Sequence, residues 1–351
     1  MERCMKCGFP DTRPGSVFIE GICGACRNYA KRKYIDWQAR DQELAALCEK
    51  YRGKGRYDLL IPVSGGKDSH FLVHTLVKEY GMRPLLCTVT DSFTHTKAGT
   101  FNLRNLITQF NLNHWQYTIS HDLFKRATKA AFEETGEALK FVEYAIYTVP
   151  TMLAQALGIG LVFFGENSGY EYGSREENSP DANPDVQAMV QKASDEQDMW
   201  IRNGITQQEI ASILPSSGWD KTVNVQYMSY YKPWSSVTNL EVARKYGFKD
   251  LTGEWDRKGT IENFEQIDSV AYMVHLWLKY PKFGFQRVSD IACRRVREGL
   301  MSKADAAREI YDKDCQLDPW AKQDFMDLCG YTEQQFYDIV QKHWNPEVPK
   351  P

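Results

Sequence analysis

A chain of 351 residues is long enough for two or three domains and a large core, and a composition 42% hydrophobic and 25% charged is that of a globular protein. A formal charge of −3 with no Lys/Arg-dense run gives no electrostatic reason to expect a nucleic-acid partner. No apolar run approaches the ~20 residues of a membrane span, and Met1-Glu2-Arg3-Cys4 starts no signal peptide, so the expected setting is cytoplasmic.

Nine cysteines, four of them in two C-x-x-C pairs, suit a reducing compartment with metal binding better than a disulfide framework. Cys4-x-x-Cys7 and Cys23-x-x-Cys26 lie fifteen residues apart, a spacing that wraps four thiolates around one zinc ion. Gly8 and Gly24 are expected to serve the tight knuckle turns. With every ligand position filled by cysteine, no site is left open for water, so the expected Zn²⁺ is structural. A zinc ribbon over residues 1–30 is followed by a polar linker helix over 31–56, with Leu44, Leu47 and Tyr51 at helical spacing.

From Tyr57 the pattern alternates. Leu59–Val63, Pro84–Thr90, Trp115–Ile119 and Gly160–Phe164 read as buried strands, separated by helices over Ser69–Tyr80, Asn102–Phe110 and Tyr144–Leu157. This is the signature of an α/β open parallel sheet with helices on both faces, and ligands bind such sheets beyond the carboxyl ends of the strands. Ser64–Ser69, Thr90–Ser92, Ser120–Asp122 and Gly165–Ser168 are the stretches so placed. Residues 175–229, with the turn-rich run Asn178–Pro184, read as a loop-rich insertion. Residues 230–345 read as a mostly helical C-terminal region for substrate or partner, with Glu262–Leu278 and Ser289–Gly299 its clearest helices.

The first strand empties into Ser64-Gly65-Gly66-Lys67-Asp68-Ser69. At a strand-to-helix turn of this kind, glycines let backbone N–H groups approach an anion, and the new helix points its positive end at the same place. It is not a Walker A loop: Ile61 stands where the first glycine is required, and Asp68 follows the lysine where a hydroxyl residue is required. S-G-G-K-D-S instead resembles the pyrophosphate loop (PP-loop) of the ATP pyrophosphatases. These enzymes cleave ATP between the α- and β-phosphates, transfer AMP to a substrate oxygen and then displace it with nitrogen or sulfur.

That resemblance implies ATP as substrate and Mg²⁺ as cofactor. Ser64, Gly65 and Gly66 would cradle the phosphates, and the Ser69 hydroxyl would assist at the helix start. Lys67 would neutralise charge on the α-phosphate and the leaving pyrophosphate, and Asp68 would reach Mg²⁺. Asp91, after the second strand, is a nucleotide-side candidate, the alternative being a plain strand-end turn.

The ribbon, the loop, F-G-E-N-S-G-Y-E-Y-G from Phe164 to Gly173 and K-F-G-F-Q-R-V-S-D from Lys282 to Asp290 together resemble the N-acetyl sugar amidotransferase family of bacterial surface-glycan biosynthesis, which serves lipopolysaccharide and pseudaminic acid pathways. The fold implied for 57–174 is the PP-loop ATP pyrophosphatase domain. The reaction implied is adenylation of the acetamido oxygen of an N-acetyl sugar or sugar nucleotide, followed by displacement of AMP by ammonia to give an acetamidino sugar. Glu166 is then a catalytic candidate, binding Mg²⁺ or orienting the amide, and Asn167 a sugar hydroxyl contact. Tyr170, Tyr172 and Trp234 are candidates to stack on a sugar ring, or else core. Arg287 is the first candidate anchor for a carboxylate or phosphate, with Asp290 holding its guanidinium; the alternative is a surface ion pair.

The chain carries no glutaminase signature, so ammonia is expected from a separate glutaminase subunit. Two other functions share some of these features. A PP-loop tRNA-thiolating enzyme predicts a basic face and a cysteine near Asp91 or Glu166, and a non-catalytic nucleotide-binding adaptor predicts loss of Lys67, Asp68 or Ser69.

Overall fold

The computed structural model describes residues 2–173, 186–214 and 222–350, with the side chains of 186–189 outside that description. Near the N-terminus, β1 (Phe18–Ile19) and β2 (Ile22–Cys23) form an antiparallel hairpin. Glu20 and Gly21, both with positive φ, make its two-residue turn. Gly8, also at positive φ, serves the first cysteine knuckle. Gly24 instead opens the helix Gly24–Lys31, and its role is proximity: a Cβ there would lie 2.4 Å from the carbonyl oxygen of Gly173. Reciprocally, a Cβ on Gly173 would lie 2.1 Å from the amide nitrogen of Ala25. The two glycines let the ribbon helix press against the helix Ser168–Tyr172 backbone to backbone.

The linker helix runs Trp37–Tyr51, capped by the Asp36 carboxylate, which accepts from the Ala39 N–H. Beyond it lies a five-stranded sheet of β3 (Leu59–Pro62), β4 (Pro84–Thr90), β5 (His114–Thr118), β6 (Leu161–Phe164) and β7 (Asn224–Tyr227). All pairs are parallel and the order is β5-β4-β3-β6-β7. Strands β3 and β6 are fully apolar because both faces are covered. Leu59, Ile61, Leu161 and Phe163 pack on one side with Leu44, Leu72 and Leu76, while Leu60, Val162 and Phe164 pack on the other with Ala154 and Ile159. β5 is an edge strand, which explains why its Trp115 is exposed.

The fifth strand falls within the stretch expected as a loop-rich insertion. Its polar Asn224 and Gln226 alternate with buried Val225 and Tyr227, and that short alternation hid it. Around it, Val186–Asp195, Gln197–Arg202 and Gln207–Ala211 are helical; the last opens on the capping box of Thr206 and Glu209. The turn-rich run Asn178–Pro184 lies outside the described residues.

The C-terminal region is mostly helical, but the helix expected over Glu262–Leu278 exists only as Tyr272–Trp277. Residues before it are irregular: Gln266 has φ 44°, and Ser269 bridges to His95 in an isolated antiparallel pair. The three acids Glu262, Glu265 and Asp268 sit three apart, as on a solvated helix face, yet the Glu265 side chain is only 3% exposed. Ion pairing, described below, draws this segment out of helical geometry. No helix among the described residues is long and apolar enough to cross a membrane.

Replacing Gly173 by alanine should weaken the ribbon contact by about 1–3 kcal/mol, because backbone atoms on both sides leave the new methyl no room. Denaturant unfolding measures this, and an unchanged midpoint would show that the contact contributes nothing.

Candidate active site and metal centre

The order β5-β4-β3-β6-β7 places a topological switch between β3 and β6, where the chain first builds outward on one side and then on the other. The loop Ser64–Gly66 leaves β3 at this point, and Gly165-Glu166-Asn167 leaves β6 beside it. Gly65 has φ 83°, and a Cβ there would lie 2.5 Å from the backbone nitrogen of Leu103, so only glycine fits. The Ser69 hydroxyl accepts from the Ser64 N–H at 3.1 Å and so fixes the loop internally. The helix Lys67–His74 begins at Gly66 without a side-chain cap, leaving its first N–H groups for an anion.

Lys67 is buried, and its Nζ donates to Asp68 Oδ2 at 2.7 Å and pairs with Glu265 Oε1 at 3.0 Å. Asn239 donates to the other Asp68 oxygen at 2.7 Å. Burial by itself would raise the Asp68 carboxyl; Lys67, with Asn239, holds it below its ordinary value. Glu265 is the hub of a larger cluster. It pairs with Arg287, with Arg294 at 2.8 Å and with the Ser236 hydroxyl. Glu262 extends the network to Arg295 at 3.2 Å and Arg287 at 3.8 Å.

Two cavities open beside the loop. One, of about 290 Å³, is lined by Ser64–Asp68, Asp91, the apolar Leu139, Val142 and Ile146, and Phe264–Asp268 with Tyr272. The other, of about 470 Å³, lies between the ends of β4 and β5 and the helix Lys97–Phe110, and includes Thr88–Asp91, Leu103, Arg104 and His114. They share Ser64, Val89, Asp91, Gly99 and Asp268, and so form one continuous space. Asp91 accepts from the Phe93 N–H at 3.0 Å and has His95 at 3.6 Å. Burial, and after it the charge of Asp91, pushes Asp268 up to about 6.

On the opposite side of Lys67 and Asp68 lies a polar chamber of about 40 Å³ with Glu166, Glu171, Tyr172, Trp234, Arg287 and Arg294 in its wall. Burial, then Asp68 and Glu171, raises Glu166 to about 6.

The expected site residues are thus partly brought together. Ser64, Gly65, Gly66, Lys67, Asp68 and Asp91 meet at the two joined cavities, while Glu166 and Arg287 face the chamber with Lys67 and Asp68. Asn167 does not reach either space: buried, it caps the helix Ser168–Tyr172 by accepting from the Tyr170 N–H at 3.1 Å. Tyr170 is also buried, its hydroxyl donating to the Asn28 carbonyl at 3.0 Å, so it ties the ribbon helix down. Asp290 does not hold Arg287. It accepts from Lys279 at 2.6 Å and Arg13 at 3.1 Å, because Glu265 already occupies the guanidinium. Ser120–Asp122 lines neither of the joined cavities; Asp122 pairs with Arg126 at 2.7 Å on the surface. Glu265, Asp268, Arg294 and Asn239 went unread because each sits in a stretch that looks like ordinary helix.

In the ribbon, Cys4, Cys7, Cys23 and Cys26 are buried with their sulfurs within 4.8 Å of one another. Two sulfur pairs, Cys4–Cys26 and Cys7–Cys23, stand at 3.8 Å. A tetrahedral tetrathiolate site with Zn–S near 2.3 Å has sulfur–sulfur edges of about 3.8 Å, so the cluster fits a metal ion of that kind. The Cys23 N–H points at Cys4 Sγ at 3.3 Å, and Arg297 lies 3.9 Å from Cys7 Sγ.

Comparison with known proteins places residues 258–349 in a match to the family described as LPS biosynthesis protein WbpG-like, C-terminal domain. That segment carries Glu262, Glu265, Asp268, Arg287, Arg294 and Arg297. No curated protein matches the chain by sequence. Among solved structures, similarity is found to the NH3-dependent NAD synthetase of Campylobacter jejuni, with TM-score 0.31 and 12% identity over 51% of this chain and 92% of that one. The U34-tRNA thiolase NcsA of Methanococcus maripaludis, solved with its 4Fe–4S cluster, gives TM-score 0.37 and 12% identity over 100% and 99%. The NMN synthetase of Francisella tularensis gives 0.27 and 16% over 60% and 93%.

Glu265→Gln should destabilise the fold by about 3–5 kcal/mol, since Lys67, Arg287 and Arg294 lose their shared carboxylate while remaining buried; denaturant unfolding reads this directly. A second expectation concerns pH. Asp268 has a folded value above the roughly 3.9 of an unfolded aspartate, so the folded state binds its proton more tightly and loses stability as pH rises from about 4 to 6. Asp268→Asn should flatten that slope in unfolding measured across the window, and parallel slopes for the two proteins would contradict the assignment.

Proposed function

We propose that this protein is an ATP-dependent, AMP- and pyrophosphate-forming amidotransferase. It activates the acetamido oxygen of an N-acetyl sugar, free or carried on a nucleotide, and replaces it with ammonia to give an acetamidino sugar for a bacterial surface glycan such as lipopolysaccharide. One observation carries this reading: Glu265, inside the segment that matches the WbpG-like family and held there by Arg287 and Arg294 of the same segment, pairs directly with Lys67 of the phosphate loop. The part of the chain similar to lipopolysaccharide biosynthesis proteins and the part suited to bind phosphates form a single site.

The geometry supports a division of labour. Adenosine suits the larger cavity, between β4, β5 and the helix Lys97–Phe110, with the phosphates at the uncapped start of Lys67–His74. The acceptor suits the smaller cavity, where Leu139, Val142 and Ile146 meet an acetamido methyl and Asp91 and Asp268 meet hydroxyls. An amide oxygen is a weak nucleophile, so holding it in line with the α-phosphate supplies much of the rate, and Lys67 offsets the charge that develops on the phosphoryl group. The Asp68 side chain keeps 41% exposure and is the residue to hold Mg²⁺, which when bound supplies further charge neutralisation. Zinc in the four-thiolate cluster is structural, and ammonia comes from a separate glutaminase.

A sulfur-transfer function is less well supported. None of the three cavities around Lys67 is lined by a cysteine, and burial pushes the thiol of Cys87, on β4, up to about 12.

The test incubates the protein with ATP, ammonium and a diacetamido sugar, following AMP, pyrophosphate and a sugar mass loss of about 1 Da. Pyrophosphate release that depends on tRNA and on no sugar would overturn the reading. Asp68→Ala should lower sugar-dependent pyrophosphate release by at least about 100-fold while the unfolding midpoint stays close to wild type.

A further inference from the structure

The reaction proposed above needs two reactants at one acetamido group: ATP, whose α-phosphate is attacked by the amide oxygen, and ammonia, which attacks the carbon. The two joined cavities account for the first. The chamber on the far side of Lys67 and Asp68 has been given no role.

Its size is the first constraint. About 40 Å³ has room for a molecule the size of water or ammonia and is much the smallest of the three spaces around the loop. Its charges are the second. Lys67, Arg287 and Arg294 in its wall pair with Glu265 and Arg297 lies beside Cys7, while the Nε–H groups of Arg287 and Arg294 are buried without a partner. Glu166 makes no hydrogen bond or ion pair with any described residue, so an acceptor stands open to whatever enters. Its place is the third. The chamber shares Lys67, Asp68, Glu265 and Gln266 with the cavity given to the acceptor. On its outer side it shares Trp234 and Glu298 with an open groove of about 640 Å³ between the ribbon helix and Ser235–Thr238.

We propose that this chamber is the ammonia site, filled from the groove past Trp234 and Glu298, with Glu166 accepting the hydrogen bond and then a proton of an entering ammonium ion. This inference rests on the amidotransferase reading. The neutral ammonia left behind adds its lone pair to the imidate carbon as the C=N π pair moves onto nitrogen, and the tetrahedral adduct then restores C=N as the C–O bond to AMP breaks, its electron pair leaving with AMP. The proton given up by ammonium rests on the Glu166 carboxylate. Desolvation of Glu166, which favours its protonated form, makes it a competent acceptor near neutral pH.

Hydroxylamine separates proton acceptance from mere support of the fold, because it is already neutral near pH 7 and needs no base to enter as a nucleophile. Glu166→Gln should lower kcat/KM for ammonium by about 100-fold. The same variant should lose far less with hydroxylamine than with ammonium, so that the ratio of the two kcat/KM values shifts by at least about 10-fold. Equal losses with both nucleophiles, or no loss with either, would overturn the assignment while leaving the amidotransferase reading intact. A wild-type protein that consumes no ammonium with any acetamido sugar would instead remove that reading, and this one with it. The route has its own check at Val237, a groove residue outside the machinery. Labelling Val237→Cys with a bulky maleimide should raise KM for ammonium several-fold without slowing pyrophosphate release, and an unchanged KM would place the entrance elsewhere.

Discussion

A buried carboxylate, that of Glu265, ties the loop after β3 to the C-terminal helix Arg287–Arg297. Charges taken out of water are expensive to bury, and they persist only when their partners are close and well bonded. Glu265 meets that condition with Lys67 from the phosphate loop, Arg287 and Arg294 from one C-terminal helix, and the Ser236 hydroxyl. The consequence is functional as well as structural. Were an anion to claim Lys67, as the proposed function requires, Glu265 would not be left isolated, because two guanidinium groups still neutralise it. The lysine can therefore change partners at modest cost, which a single Lys–Glu pair would not allow.

The sheet explains why the loop has two working sides. β3 lies in the middle, and the chain leaves it first toward β4 and β5, then returns to place β6 and β7 on the other flank. The crevice at that reversal is open above the strand ends, and Lys67 and Asp68 stand in it as a partition. Asp91 after β4 belongs to the two joined cavities; Glu166 after β6 belongs to the chamber. Two carboxylates at equivalent strand ends thus face different spaces, a distinction set by topology and not by the residues themselves.

How far this was legible from sequence depended on whether local pattern and tertiary role agreed. Strands β3, β4 and β6 read within about a residue of their observed ends, since covered parallel strands give continuous apolar runs, and β5 did so as well although, expected buried, it is a half-exposed edge strand. The phosphate loop and the four cysteines were legible because their chemistry demands fixed residue types at fixed spacing. Glu265 was not, because acids at 262, 265 and 268 imitate the outer face of a helix, and only the burial of Lys67 beneath them reverses that meaning. Asn167 and Tyr170 erred in the other direction. Polar and aromatic residues near a strand end invite a ligand role, yet here a cap and a packing contact use them up. Arg287 and Asp290, one helical turn apart, looked like each other's partners, whereas residues distant in sequence took both.

The ribbon also becomes less separate than its position at the N-terminus implies. The helix Arg287–Arg297 presents Arg287 from its first turn and Arg294 from its last to Glu265, packs Cys293 against the cysteine cluster, and brings Arg297, also in the last turn, to Cys7. Four thiolates around a divalent metal leave net negative charge, and a guanidinium at their edge is favoured there as strongly as any in the molecule. A rigid helix fixed at its last turn by the cluster is also fixed at its first. One helix therefore links the cysteine cluster, through Arg297, to Glu265, through Arg287 and Arg294, and Glu265 in turn pairs with Lys67.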